Sequence, residues 1–321
     1  MNIDKILIIL GEPQSTFNEI LFKFFHSKKF LKLKKKIILI GSKNLFQKQM
    51  QKLGYNIKLN IINDIEKSNR RIVNIINVNY EFNKVFTKIS NFSNSYIKKS
   101  FDLGIKILNN KKTIGLINGP ISKKNFLNKK FSGITEYLAY MTNTKNEVML
   151  IYNKNISVSP ITTHLPLSKV SRNITKKKII NNVSKIKNFY KLRLRVNPNI
   201  AILGLNPHCE STENTSEEEK IIKPAINSLK KKKFKVNGPF SADTFFIKKN
   251  IRKYDVVIGM YHDQVITPIK TLYNFDAINL TLGLPFIRIS PDHGPNTEML
   301  GKNISDPSSL FCAIDFFSKI K

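Results

Sequence analysis

Asn199-Ile200-Ala201-Ile202-Leu203-Gly204-Leu205-Asn206-Pro207-His208 is the stretch that decides the fold. A short aliphatic run stops at Gly204, Asn206 and Pro207, and a histidine follows. An apolar run with no polar alternation fits a strand covered on both faces, as in a parallel sheet flanked by helices. Outward from it, comparable runs occur at residues 5–10, 36–40, 113–117, 147–152 and 255–260, each closed by Gly, Pro, Asn or His. Amphipathic stretches lie between them. Phe17, Ile20, Leu21, Phe24 and Phe25 form an apolar stripe at helical spacing. Ser216 with Glu217, Glu218 and Glu219 reads as a helix start, because acids are favoured at the positive end of a helix. Ile221, Ile222, Ala225, Ile226 and Leu229 continue that helix. The alternation predicts an α/β fold with a largely parallel sheet. There is no internal repeat and no long linker, and a soft domain boundary is placed near residue 130.

The 321 residues suffice for one large or two modest domains with a sizeable core. The formal charge of +32 invites a nucleic-acid reading. Against it, Lys is spread along the chain among abundant Ile and Asn, a bias that AT-rich codons would produce. No zinc-finger spacing and no basic motif interleaved with aromatics is present, so nucleic acid is not the expected partner. An anionic substrate would still benefit from the positive field. Cys209 and Cys312 cannot build a disulfide framework, and a reducing cytoplasm is the expected compartment. The apolar run Ile6 to Leu10 is too short for a signal-peptide core, and no stretch approaches the roughly 20 apolar residues of a membrane span.

The five histidines carry the chemistry. His26 ends the first amphipathic helix and reads as a surface residue, whereas His164, His208, His262 and His293 each follow an apolar run. In open α/β sheets ligands bind beyond the carboxyl ends of strands, so several such histidines can converge on one site. Neutral imidazole is the commonest metal ligand, and three can hold a catalytic ion with a position open for substrate. Any one of them alone could equally satisfy a loop backbone. Asp263 and Gln264 follow His262, and Asp263 could orient an imidazole or support a metal. Asp243 offers another carboxylate. Lys270 and Arg288 are candidate phosphate holders; Arg288 lies in an apolar run, where a charge needs a partner. No G-x-G-x-x-G and no P-loop occurs. Composition and spacing alone stop at an α/β enzyme with a His-rich metal site and an anionic ligand.

An ordered set of motifs goes further. Gly11-Glu12-Pro13, Asn118-Gly119-Pro120, Gly133-Ile134-Thr135-Glu136 and Thr162-Thr163-His164-Leu165-Pro166-Leu167 come first. Gly204-Leu205-Asn206-Pro207-His208, Asn237-Gly238-Pro239, Ala242-Asp243-Thr244 and Met260-Tyr261-His262-Asp263-Gln264 follow. Residues 279–288 and Asp292-His293-Gly294 complete the series. In this order the chain resembles the 4-hydroxythreonine-4-phosphate dehydrogenase family over nearly its whole length, most weakly between about residues 40 and 110.

The resemblance implies a two-domain α/β/α sandwich like that of isocitrate and isopropylmalate dehydrogenases, with the active site in the interdomain cleft. Residues 1–130 with 295–321 would form one domain, and 131–294 the other. That fold binds NAD without the usual glycine fingerprint. The family's three metal ligands match His164, His208 and His262, and the metal could be zinc, cobalt or magnesium. Its substrate contacts match Thr135, Lys270, Asn279 and Arg288. Asn206, Asp292, His293 and Gly294 are the expected contacts of NAD or NADP, and Asp243 and Asp263 the candidates for proton handling. The implied reaction is metal- and NAD-dependent oxidation of 4-phosphohydroxy-L-threonine in vitamin B6 biosynthesis, in a cytoplasmic homodimer with its active site at the subunit interface. Two departures stand out. Ile134 replaces a histidine, and the Cys209 to Asn214 stretch lacks the family's glycines, which makes an unusual backbone path harder. Cys209 reads as a small buried thiol rather than a fourth ligand. A related dehydrogenase of threonate or erythronate phosphate is the alternative, and a nucleic-acid-binding protein on a retired enzyme fold a more distant one.

Overall fold

Each of the six apolar runs expected to be a strand forms one. The computed structural model describes residues 4–128, 130–209, 216–273, 277–291 and 294–320. Among them lie β1 (Lys5–Ile9), β2 (Lys36–Gly41), β3 (Leu59–Ile61), β4 (Val73–Asn77), β5 (Gly115–Asn118) and β6 (Val148–Tyr152). Next come β7 (Ser157–Thr162), β8 (Ile200–Leu203), β9 (Val236–Phe240), β10 (Val256–Tyr261), β11 (Ile278–Leu282) and β12 (Ile287–Ser290).

The chain divides into two units. Unit 1 holds the described residues up to Lys145 together with Leu284–Ile320, and unit 2 holds Asn146–Gly283. The sequence reading set these changes near residues 130 and 294. The later first break has a packing reason. The helix Ile134–Met141 buries Tyr137 and Leu138 in the core of unit 1, where Phe101, Phe126 and Phe131 meet the Tyr137 ring edge-on. Leu284 belongs to that same core, and Phe286 packs against it.

Unit 1 orders its strands β3-β4-β2-β1-β5-β12, every neighbour parallel. The helix Phe17–Phe25 buries the expected stripe and also Asn18, Glu19 and Phe22. It is an interior helix rather than a half-exposed one. In unit 2 the order is β11-β6-β7-β10-β8-β9. There β7, β10, β8 and β9 are mutually parallel, whereas β6 is antiparallel to both β7 and β11. The largely parallel expectation therefore holds for unit 1 and for one side of unit 2. The reason for the exception is loop length: only residues 153–156 join β6 to β7, and a parallel pair needs a much longer crossover. The Asn153 side chain tightens that turn, its Oδ1 accepting the Asn155 amide at 2.9 Å.

The expected acid-led helix is a wide turn, Glu218–Ile222, running into a helix at Lys223–Lys231 that buries Ala225, Ile226 and Leu229. Glu218 itself is fully buried rather than solvated. No described helix is long and apolar enough to cross a membrane.

Candidate active site

Three neighbouring parallel strands of unit 2 each deliver a histidine just past the carboxyl end. β7 leads to His164, β10 to His262 and β8 to His208, in the spatial order β7-β10-β8. β9, next in the row, leads to Asp243. The His164 and His262 rings lie 6.1 Å apart between centroids. Asp263 Oδ1 lies 2.7 Å from His262 Nδ1. A carboxylate only accepts, so this contact places the imidazole proton on Nδ1 and leaves the Nε2 lone pair for a ligand. His208 Nδ1 is 3.5 Å from Asp243 Oδ2. Ser241 Oγ and the Thr244 amide donate to the other oxygen of Asp243. The Ser241 hydrogen bond foremost, with the Thr244 amide and His208, holds the Asp243 carboxyl below the usual range. Among the described residues, no three His, Cys, Asp or Glu side chains gather closely enough to hold an ion.

The turn that carries His208 is set by backbone geometry. His208 and Cys209 are both left-handed, with φ of 55° and 56°. Non-glycine residues adopt this conformation at a cost of roughly 1–2 kcal/mol each. The glycine-poor turn thus takes a glycine-like path, and hydrogen bonds upstream hold it there. Glu218 Oε1 accepts the amides of Leu205 and Asn206 at 2.7 and 2.9 Å, and Oε2 accepts the Asn206 side-chain amide at 2.8 Å. Burial by itself pushes the Glu218 carboxyl up, but these donors outweigh it and hold the pKa low. Gly204 is required: a Cβ there would meet Cys209 Sγ at 2.5 Å and Glu218 Oε1 at 3.1 Å. Cys209 is half-buried beside Gly204, and burial pushes its thiol up. The remaining residues of the stretch, 210–214, lie outside the described residues.

Unit 1 holds a different construction. Arg288 pairs in register with Leu116 of β5, so Asn118, two positions further along, shares its face of the sheet. Arg288 Nε donates to Asn118 Oδ1 at 2.7 Å, and Nη1 donates to Thr135 Oγ1 at 3.2 Å. Arg288 is 0% exposed. Burial pulls its pKa down to about 9, partly offset by nearby Glu136, so the guanidinium remains charged at neutral pH. Thr135 stands in the first turn of the helix Ile134–Met141, while Ile134 packs against the core of unit 1. Gly11 closes the floor beside it. Its φ is +72°, a Cβ would meet Pro120 O at 2.5 Å, and the next amide, Glu12 N, donates to Pro120 O at 2.9 Å.

The substrate residues expected from sequence are therefore shared out. Thr135 and Arg288 meet in unit 1; Lys270 and Asn279 belong to unit 2. Lys270 is exposed on the helix His262–Tyr273, and Asn279 is half-buried on β11. The Asn279 Oδ1 atom is buried and accepts no hydrogen bond among the described residues. Of the expected cofactor residues, Asn206 commits its amide nitrogen to Glu217 and Glu218, and Gly294 is exposed. Asp292 and His293 lie outside the described residues. Sequence reasoning missed Asn118 and Glu218. Asn118 was visible only as a member of a motif, and Glu218 looked like an ordinary helix-start acid.

A family model described as "Pyridoxal phosphate biosynthetic protein PdxA" matches residues 33–317. The 4-hydroxythreonine-4-phosphate dehydrogenase of Sulfurihydrogenibium sp. (strain YO3AOP1) is 37% identical, across 99% of this chain and 98% of that protein. The enzyme of the same name from Aquifex aeolicus (strain VF5) is 33% identical across 97% and 96%. Among solved structures, the 4-hydroxythreonine-4-phosphate dehydrogenase of Klebsiella pneumoniae superposes with a TM-score of 0.87 at 23% identity, covering 99% of both chains, and shares the fold. With family model and relatives agreeing over almost the full length, the chain belongs to the PdxA family of pyridoxal phosphate biosynthetic proteins.

Proposed function

We propose that this chain is an oxidoreductase of pyridoxal phosphate biosynthesis. It oxidises 4-phosphohydroxy-L-threonine, with NAD or NADP and a divalent metal, to 2-amino-3-oxo-4-phosphooxybutanoate. Loss of carbon dioxide then gives 3-amino-2-oxopropyl phosphate. The observation that carries this reading is the row of three parallel strands presenting His164, His262 and His208 at their carboxyl ends.

The donor chemistry fits a metal. Imidazole nitrogens favour zinc or cobalt over magnesium, and His262 has its second nitrogen held by a carboxylate, as metal-binding histidines usually do. His164, His208 and His262 are the proposed donors, in a homodimer whose active site lies at the subunit interface. When bound, the ion supplies Lewis-acid polarisation of the hydroxyl being oxidised, and NAD supplies the hydride acceptor. The chain's own residues do the rest. Arg288 places a fixed positive charge in a dry wall, where it offsets an anionic group of the substrate strongly. Thr135 adds a hydroxyl beside it. Lys270 and the Asn279 carbonyl oxygen are the proposed contacts from unit 2. Asp263 fixes the ring of His262, and Asp243 lies within reach of His208. Asn206 Oδ1, Asp292, His293 and Gly294 are assigned to the cofactor. A chain with only two cysteines, Cys209 and Cys312, accords with the cytoplasm as the compartment.

The test is NADH formation from 4-phosphohydroxy-L-threonine by purified protein. Turnover is expected to stop with a chelator, to return with zinc or cobalt, and to be absent in His208→Ala. Folded, metal-loaded protein that ignores this substrate but oxidises threonate or erythronate phosphate would replace the reading. The placement of Ile134 against the core, where a hydrogen-bonding histidine was expected, favours that second outcome.

A further inference from the structure

One buried side chain ties together the turns that carry His208 and His262. Gln264 follows His262 closely in sequence and is 9% exposed. Its Oε1 accepts the Met260 amide at 2.7 Å, at the end of β10. Its Nε2 donates to the Gly204 carbonyl at 2.8 Å, at the end of β8. A single carboxamide therefore bridges two neighbouring strand ends, using one acceptor and one donor. Neither a carboxylate nor an apolar side chain can make both bonds.

Glu218 grips the same turn one residue further on, through the Leu205 and Asn206 amides. Residues 204–206 are thereby fixed by two buried side chains just before the left-handed pair His208 and Cys209. The same Gln264 side chain that fixes Gly204 also closes the turn of His262. The positions of the two imidazoles are then not independent.

We infer that Gln264 is a positioning residue that sets His208 relative to His262, with Glu218 as its counterpart on the His208 turn. This rests on the metal reading above, and it adds that metal affinity is a joint property of both turns. Gln264 acts through backbone, not by touching the ion.

The test compares full-length wild type with Gln264→Met and Gln264→Glu. Met removes both hydrogen bonds. Glu keeps the acceptor for Met260 and loses only the bridge to Gly204, so it decides the matter if the Met variant does not fold. Cobalt affinity is read from a visible-absorption titration, and amide exchange at Leu205 and Asn206 from the metal-free protein. Both variants are expected to bind Co²⁺ about 10- to 100-fold more weakly. Exchange at Leu205 and Asn206 should accelerate by about tenfold or more. Cobalt affinity within about threefold of wild type in a folded variant overturns the inference. If wild type takes up no cobalt, the metal reading fails, and the exchange comparison decides alone. Acceleration at Leu205 and Asn206 then supports the coupling, and unchanged rates overturn it.

Discussion

Arg288 in unit 1 and the histidine row in unit 2 handle charge in opposite ways. Arg288 is a fixed cation sealed in a strand, held by Asn118 and Thr135 and out of contact with water. The histidines stand at or near the surface, two of them beside carboxylates that remain exposed. The first arrangement suits recognition of a constant anionic group. A buried charge that is already hydrogen-bonded need not be desolvated again when its partner arrives. The second suits chemistry, because an accessible imidazole nitrogen is a common metal ligand. The lesson is that a permanent charge is buried where an anion is to be recognised, and ligating side chains are left accessible where chemistry is to occur.

The strongest way to break this contrast is Arg288→Met. We expect kcat/KM to fall roughly 1,000-fold, about 4 kcal/mol, with cobalt affinity unchanged. Melting temperature should fall, since Asn118 Oδ1 and Thr135 Oγ1 lose a buried donor and Glu136 its neighbouring cation. Activity within about tenfold of wild type would remove Arg288 from the site. Next in size is Asp263→Asn. Cobalt affinity should drop about 10- to 100-fold, because the carboxylate no longer holds the His262 ring. Asp243→Asn should cost less, given the 3.5 Å separation from His208, and a larger effect there would reverse the ranking of the two acids.

The smallest effect concerns two buried carboxyls, one in each unit. Burial pushes Glu12 in unit 1 up, against the Gln14 amide and Ser93 hydroxyl that oppose it. Glu218 in unit 2 ends up low because its hydrogen bonds outweigh burial. The contribution of Glu12 to stability is therefore complete below the ordinary carboxylate range and fades as pH rises through its raised value. That of Glu218 is present above the ordinary range and is lost as pH falls through its lowered value. A carboxyl NMR titration should place Glu12 above, and Glu218 below, the ordinary glutamate range. The reverse order would contradict the geometry of both.

Much of the frame was legible in sequence because apolar runs between Gly, Pro and Asn have few alternatives to a buried strand. β4 was not legible. Its second residue is Asn74, fully buried, bonding the Ile37 and Asn69 carbonyls and the Asn69 amide. A polar residue satisfied by distant backbone looks, in sequence, like a loop residue. β11 hid behind Asn279 and Thr281, two polar residues in a five-residue strand. The histidines were legible by their place after strands. The requirement that Arg288 find a partner was legible too, but not the partner: Asn118 lies 170 positions away in the chain. Likewise the role of Gln264 depends on Gly204, which only the pairing of β8 with β10 brings near.

The place of β12 also bears on how the protein is made. This strand completes unit 1 beside β5, yet its residues 287–290 are translated after all of unit 2. During synthesis, then, one flank of β5 stays unpaired while the whole second unit emerges and folds. An exposed strand flank of this kind is where chaperones bind and where chains stick to one another. A formal charge of +32 opposes such sticking, because like-charged copies repel each other.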